Sequence, residues 1–311
     1  MKHKIKQIVQ NQLARLASQL VSKHHPIVIG ITGSIGKTST RDAVFAVVNK
    51  HFSTRKPYKN LNNEFGMPLS IIGATPPTQN PLSWIKAFLY GYWQLFFGYR
   101  FPEVLILEMG VDKPGDMDYL LSIAKPNIAI LTFIGQSHLE NFGSQEALIK
   151  EKSKLIQAVP SDGYAIVNAD SELAIKQIAV SPGQVLTYST SPKTHSTVCV
   201  QLEKENFEIP VSSDIKVSSS LGEFTLSLRA LGQGHLSAIA AAVTLGQILD
   251  LTLPQIVTGL AEYKPVAGRL NFIRGIKKTL LLEDSYNAAP DSMLAALDLL
   301  GRVDREKRSQ Y

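Results

Sequence analysis

The chain has 311 residues, 44% hydrophobic and 19% charged, with a formal net charge of +6 at pH 7 and a single cysteine. That length and apolar content allow about two domains with a packed core, and the lone Cys199 excludes an internal disulfide framework or a cysteine-built metal site and fits a reducing cytoplasm. The positive balance favours anionic partners, but the basic residues are scattered, which argues against a nucleic-acid face; no run reaches the ~18 apolar residues of a membrane span, and the basic N-terminus lacks the apolar core and cleavage site of a secretory signal.

In chain order, Ile5, Val9, Leu13, Leu16 and Leu20 recur at one-face spacing and predict an amphipathic helix over 3–23, ended by Pro26. "PIVIGIT" (26–32) reads as a buried strand, and 37–50 as a helix with Ala43, Val44, Val47 and Val48 turned inward. The stretch 84–101, "WIKAFLYGYWQLFFGYRF", holds nine of the chain's 24 aromatic residues and both tryptophans. As a helix it carries aromatics on all faces. That suits packing against the sheet or another chain, or peripheral contact with a membrane surface, where Trp and Tyr concentrate.

Strands are expected at 103–110, 127–135 and 164–170, with helices at 116–124 and 144–158 between them. Such alternation specifies an α/β fold, a mostly parallel sheet with helices on both faces. Residues 195–230, rich in Ser, Thr and Val and containing "SSSLGEF", read as a small antiparallel region. Helices return at 234–249 and 253–262, "YKPVAGRL" (263–270) reads as a linker, and a strand or hairpin (270–283) and a helix (290–301) follow. One strand unit and one helix cannot bury a core of their own. The chain therefore divides into an N-terminal helix (1–25), a central domain (26–264) and the start of a truncated second domain (265–311).

"GITGSIGKTST" (30–40) follows a buried strand and opens a helix, the setting in which backbone N–H groups and a helix N-terminus bind phosphate. The general pattern G-x-x-x-x-G-K-[ST] puts its first glycine at position 31, which is Ile31; Gly30 lies one residue early. Lys37 has the reach for β- and γ-phosphates, and the Thr38 hydroxyl suits Mg²⁺. Glu108 ends a strand, where ligands bind in open α/β sheets.

The loop resembles the phosphate loop of the Mur ligases, the ATP-dependent amide-forming enzymes of peptidoglycan assembly, in which the first glycine also lies six residues before the second. "NLNNEFGMPLS" (60–70), the segment 107–156 from "LEMGVDKPG" through "HLENFGS" to "KEKSKLI", and "GRLNFIRGIKKTLLLEDSYNAAPDSM" (268–293) resemble further motifs of the family, in the family's order. The resemblance covers roughly 26–301. It implies a central ATP-binding domain followed by a Rossmann-like C-terminal domain, here incomplete, which leaves open a fragment, a frameshifted gene product, or a protein whose missing part is a separate partner chain. It also implies a cytoplasmic ligase using ATP and one or two Mg²⁺ ions. The reaction it points to adds D-alanyl-D-alanine to a UDP-muramyl tripeptide, an acyl phosphate being formed and then displaced by the amine.

By the same resemblance, Gly33, Ser34, Ile35, Gly36, Lys37, Thr38, Ser39, Arg269 and Asp284 face ATP, with Asp284 on the ribose. Thr38, Glu108, His138 and Lys152 hold metal, Lys152 as a lysine carbamoylated by CO₂, and Lys37, Glu108, His138 and Lys152 are catalytic. Asn62, Asn63, Tyr286 and Asn287 lie near substrate. Lys150 and Lys154 flank Lys152, so that assignment rests on spacing. Four departures stand out. The family's N-terminal UDP-binding domain is replaced by one basic helix, and the C-terminal domain stops after its first helix. Leu236 and Ile239 replace two asparagines after His235, and Glu283 and Ala289 replace an Asp and an Asn. Two alternatives stay open, a sister ligase with another amino-acid substrate and a non-catalytic ATP-binding or scaffold subunit. A folylpolyglutamate-type ligase is disfavoured by Thr38.

Overall fold

The computed structural model describes residues 2–58, 61–78, 80–98, 100–135 and 139–303. The chain opens with α1 (Lys2–His24), β1 (Ile27–Thr32) and α2 (Lys37–Val48), then β2 (Thr54–Arg55), α3 (Gly66–Ile72) and α4 (Pro81–Phe97). Next come β3 (Val104–Glu108), α5 (Asp116–Ile123), β4 (Ile128–Leu131), α6 (Leu139–Phe142), α7 (Gln145–Gln157) and β5 (Tyr164–Asn168). They are followed by α8 (Glu172–Ile175), β6 (Gln184–Ser189), β7 (Val198–Asn206), β8 (Ser212–Ser219) and β9 (Gly222–Leu228). The chain continues with α9 (Gln233–Ile248), α10 (Leu253–Leu260), β10 (Asn271–Arg274), β11 (Leu280–Glu283) and α11 (Pro290–Arg302).

Among the described residues nine strands form one sheet in the order β2-β3-β1-β4-β5-β6-β7-β8-β9. The pairings from β2 to β7 are parallel, and β8 and β9 add an antiparallel edge. The central strands IVIGIT, VLILE and IAIL are buried almost throughout, as strands covered on both faces must be. On one face Val44, Val47, Ile239, Val243 and Ile256 of α2, α9 and α10 pack over Ile29, Ile106 and Ile130. On the other, Leu13, Leu16 and Leu20 of α1 join Ile72, Leu120, Leu148 and Leu155 over Leu105, Leu107 and Ala129. The N-terminal helix thus shares the core of the sheet.

The differences from the sequence expectation have local causes. Strands β3, β4 and β5 stop short of 110, 135 and 170, because the chain leaves the sheet there to form loops: Met109 N–H still reaches Ile31 O at 2.8 Å, but Gly110 N–H turns to Asn62 O at 3.2 Å. Helix α4 begins earlier, at the Asn80-Pro81 start signal, the Asn80 side chain accepting from Leu82 N–H, and ends at Gly98. Phe101 then stacks on His24. β6 and α3 were not anticipated: β6 is a six-residue strand behind "SPG", and α3 hides inside a motif rich in Asn, Gly and Pro. The antiparallel region joins the main sheet through a parallel β6–β7 pairing. The hairpin β10–β11 is a separate two-stranded sheet. Helix α11 buries Leu299 but leaves Met293, Leu294, Leu297 and Leu300 exposed.

Candidate active site

Strand β1 lies between β3 and β4, so the chain order reverses around its carboxyl end. A crevice opens at such a switch point, and three connections meet in it: the loop after β1, the residues after β3, and the turn after β4. The loop glycines have different reasons. Gly30, within β1, lets α7 come close: a Cβ there would stand 2.9 Å from Leu155 Cδ1 and 3.3 Å from Pro126 Cβ. Gly33 is required by the loop itself, since φ is +148° and a Cβ would meet Thr132 Oγ1 at 1.9 Å. The glycine that seemed one residue out of register is thus a packing residue of the strand. Gly36, left-handed, caps α2.

From that cap α2 presents Lys37, Thr38 and Arg41. The Thr38 hydroxyl lies 3.2 Å from both Glu108 carboxylate oxygens and donates to them. Arg41 Nη1 donates to Glu108 Oε2 at 3.2 Å and Asn62 Nδ2 to Oε1 at 3.1 Å. Asp42 in turn pairs with Arg41 at 2.9 Å and Lys56 at 2.7 Å. Burial alone would raise the Asp42 carboxyl; the Arg41 and Lys56 pairs outweigh it and hold it below the ordinary carboxylate value. Glu108 is thereby fixed from three sides with an oxygen-only face towards Thr38.

Lys37 folds back on its loop, donating to Gly33 O at 2.7 Å and Ser34 O at 3.2 Å. Lys152 reaches the same Gly33 carbonyl from α7 at 3.1 Å and is 1% exposed. Burial, reinforced by the charge of Lys37, drives the Lys152 amine well below the usual lysine value. Lys37 is lowered as well, by burial first and then by Arg269, against the opposing pull of Glu108 and Asp112. The neighbouring lysines of α7 point elsewhere: Lys154 pairs with Asp118 and Glu151 at 2.6 Å, and Lys150 is exposed.

A cleft of about 230 Å³ is lined by Ser34, Gly36, Lys37, Thr38, Asn62, Asn63, Glu108, Lys152, Arg269, Tyr286 and Asn287 together with Gly110, Val111 and Asp112. Most residues singled out from the sequence therefore meet at one place. The Arg269 guanidinium stacks 4.1 Å over the Tyr286 ring, and Asn287 Oδ1 accepts from Ala288 N–H at 2.9 Å. The Asn63 side chain accepts from Gly66 N–H at 2.9 Å and starts α3. Others lie outside the lining. Ile35 is held by its carbonyl, which accepts from Thr132 Oγ1 at 2.7 Å. Ser39 is a buried residue of the first turn of α2. Asp284 accepts from Leu270 N–H at 3.2 Å in the turn beside Arg269. His138 lies outside the described residues. His235 is buried with Nδ1 2.7 Å from the Tyr263 hydroxyl, and Leu236 and Ile239 are core residues of α9.

Sequence reasoning missed Arg41 and Asp112. Helical spacing carried a signal for Arg41, three residues beyond Thr38 and so on the same face. Asp112 follows the "LEMG" strand end by two residues, with nothing local to single it out.

The donor set suits magnesium. Thr38 and Glu108 offer hard oxygens, which magnesium supplements with water and phosphate oxygens. Among the described residues no group of three His, Cys, Asp or Glu side chains could hold a metal ion by itself.

A phosphate loop at the switch point of a parallel sheet covered on both sides defines a phosphate-loop α/β protein. The chain belongs to the Mur ligase family, whose middle-domain profile matches residues 90–246, just over half of the chain. It is similar to the UDP-N-acetylmuramoyl-tripeptide–D-alanyl-D-alanine ligase of Bacillus subtilis, 29% identical over 294 residues, which cover 92% of this chain and 55% of that protein. Among solved structures, MurF from Acinetobacter baumannii superposes with a TM-score of 0.76 at 25% identity, over 94% of this chain and 58% of the other. MurF ligase from Thermotoga maritima in complex with ADP gives 0.76 at 28% identity, over 94% and 61%. The chain thus spans somewhat over half the length of these relatives.

Proposed function

We propose that the cleft binds Mg·ATP and that the chain is the ATP-handling part of a ligase of peptidoglycan precursor synthesis in the cytoplasm, which joins D-alanyl-D-alanine to a UDP-muramyl tripeptide. The observation that carries this reading is the convergence of Lys37, Thr38, Glu108 and Lys152 on one loop. The names of the relatives supply the substrates.

In this reading the loop from Gly33 to Ser39 cradles the phosphates at the α2 N-terminus, and Lys37 turns from its own loop carbonyls to the β- and γ-phosphates. Thr38, Glu108, His138 and a carbamoylated Lys152 would hold one or two magnesium ions. Magnesium, when bound, supplies charge neutralisation at the phosphoryl oxygens. The depressed pKa of Lys152 supports carbamoylation, because only the neutral amine adds to CO₂. Arg269 and Asp284 face the nucleotide, and Asn62, Asn63, Tyr286 and Asn287 orient the carboxylate and amine substrates. The substrate carboxylate attacks the γ-phosphorus, ADP departs, and the dipeptide amine displaces phosphate from the acyl phosphate to form the amide. Residues 265–311 are, on this reading, the opening of the C-terminal ligase domain, and the exposed face of α11 is where its remainder packs.

That exposed face also favours a second reading, a nucleotide-binding subunit completed by another chain. Phosphate release from ATP, measured with UDP-muramyl tripeptide and D-alanyl-D-alanine added singly and together, tests both. Release only with the pair supports the ligase. Nucleotide binding without release under any acceptor supports the second reading, and neither binding nor release overturns both.

A further inference from the structure

Helix α4 presents to solvent an apolar surface that the core does not use. Its inward side is Ala87, Gly91 and Gln94, against α1 and α3. Its outward side carries Leu82, Ile85, Leu89, Trp93, Phe96 and Phe97, from 53% to 67% exposed. Tyr90 stacks with Trp93, and Tyr92 with Phe96, making a continuous aromatic plate. Scattered exposed hydrophobics are ordinary on a protein surface; a contiguous patch of this kind marks an interaction surface.

The charges say what it meets. Helix α1 runs beside α4 in the same direction: Lys6 and Ile5 share a groove with Trp84, Leu16 lies against Gly91, and Lys23 Nζ donates to Leu95 O. Residues 1–41 contain no Asp or Glu, and neither do residues 65–102. The stretches 1–25 and 81–100 hold seven Lys and Arg and no acid (Lys2, Lys4, Lys6, Arg15, Lys23, Lys86 and Arg100), more than the chain's entire net charge of +6. Helix α4 and the adjoining α1 thus carry basic side chains and no acid, with Glu64, Asp112 and Asp116 bordering only the Lys6–Gln10 flank of α1. A second copy docking through the same helix would bring the Lys86 side chains of two α4 helices together with no carboxylate on either helix to offset them. An anionic lipid headgroup layer pairs with the lysines while the rings and Leu side chains enter the headgroup–acyl boundary.

We propose that α4, flanked by α1, docks the chain peripherally on an anionic phospholipid surface. The helix lies in the interface: no helix among the described residues is long and apolar enough to cross a membrane. Asn63 lines both the apolar groove between α1 and α4 and the polar cleft, so the docked face adjoins the entrance to the candidate active site. The inference does not rest on the ligase reading. Phosphate release in vesicle-free solution reports on one and vesicle binding on the other.

The test is co-sedimentation of the full chain with sucrose-loaded vesicles of phosphatidylcholine alone or in equal parts with phosphatidylglycerol. The chain is expected to pellet with the mixed vesicles, weakly with phosphatidylcholine, and less as salt is raised. Leu89→Ser/Trp93→Ser/Phe96→Ser and, separately, Lys86→Glu should each weaken binding by about tenfold or more. These side chains are exposed, so circular dichroism should match wild type. In Trp84→Phe, Trp93 is the sole tryptophan, and its emission should shift to the blue on adding mixed vesicles. The proposal is overturned if the chain stays in the supernatant, if both vesicle types bind equally, if the triple variant binds like wild type, or if Trp93 emission does not move. An α4-dependent dimer in light scattering with no vesicle binding would assign the face to a second copy instead.

Discussion

Replacing Lys152 by Met keeps a long unbranched stem and removes the amine. The unfolded chain carries a protonated lysine below about pH 10.5, whereas the folded chain, with its amine pKa well below 10.5, does not hold that proton in the upper part of the range. Where the unfolded state binds the extra proton, stability rises with pH, by ~1.4 kcal/mol per unit for one group. Wild type therefore loses stability as pH falls from 10.5 towards the folded pKa, and Lys152→Met loses none of it. Against this stands one hydrogen bond, to a Gly33 carbonyl that still accepts from Lys37, at about 0.5–1.5 kcal/mol. A window wider than about one pH unit makes the variant the more stable protein at neutral pH. Urea unfolding followed by circular dichroism, in CO₂-free buffers from pH 7 to 10, measures the gap. It should favour the variant at pH 7 and shrink as pH rises, while ATP-dependent phosphate release falls to background. A gap that stays constant across that range would mean that the ammonium survives burial, and the neutral-amine argument would fail.

Glu108→Gln, with Arg41 still paired to Asp42, should keep the fold and lower magnesium-dependent ATP affinity by about 100-fold or more in calorimetry. His235, lowered by burial to about 4, stays neutral in the fold while the unfolded chain protonates from pH 6.5 downwards. Stability should fall by ~3 kcal/mol between pH 6.5 and 4 from this residue, and NMR titration of its ring should show no protonation until about pH 4. A Cβ at Gly91 would lie 2.5 Å from Leu16 Cδ2 and 3.2 Å from Ile72 Cγ2, so Gly91→Ala should cost about 1–3 kcal/mol. Leu16→Ala should cost about 2–5 kcal/mol, and the double variant measurably less than the sum, because one change fills the space that the other empties.

Much of this was legible because burial on both faces writes itself as uninterrupted apolar runs. IVIGIT, VLILE and IAIL could hardly be anything but central strands, and the loop from Gly33 to Thr38 follows the first of them directly. Lys152 could be chosen over Lys150 and Lys154 only by spacing, since all three read as surface lysines; the burial that sets Lys152 apart comes from α7 packing on β1. Arg41 and Asp112 were missed because their role depends on where β3 ends relative to α2, a tertiary fact. β6 escaped because one six-residue strand behind a Pro-Gly turn carries little pattern, and its place is fixed by a parallel neighbour 20 residues earlier in register. The exposure of the α4 aromatics was equally hidden: periodicity put rings on every side, and only packing against α1 and α3 decided which would face out.

The same charges explain why the cleft is both uncomfortable and useful. Lys37, Lys152 and Arg269 converge on a space where Glu108 and Asp112 supply the opposing charge. The cations press on one another: Lys37 lowers Lys152, and Arg269 lowers Lys37. Glu108 cannot relieve them fully, because Arg41, Asn62 and Thr38 already claim its oxygens. On the proposed reading a polyphosphate arriving in this site stabilises Lys37 as a cation, while Lys152 stays the neutral amine that CO₂ can modify. Relief of this crowding by a bound polyphosphate is what the proposed reading expects, since perturbed groups cluster where ligands act. Arg41 has a different part. Anchored by Asp42, and through it to Lys56, it keeps Glu108 aimed at Thr38 whether or not the cleft is filled. The carboxylate is in place beforehand, and binding need not spend energy to orient it.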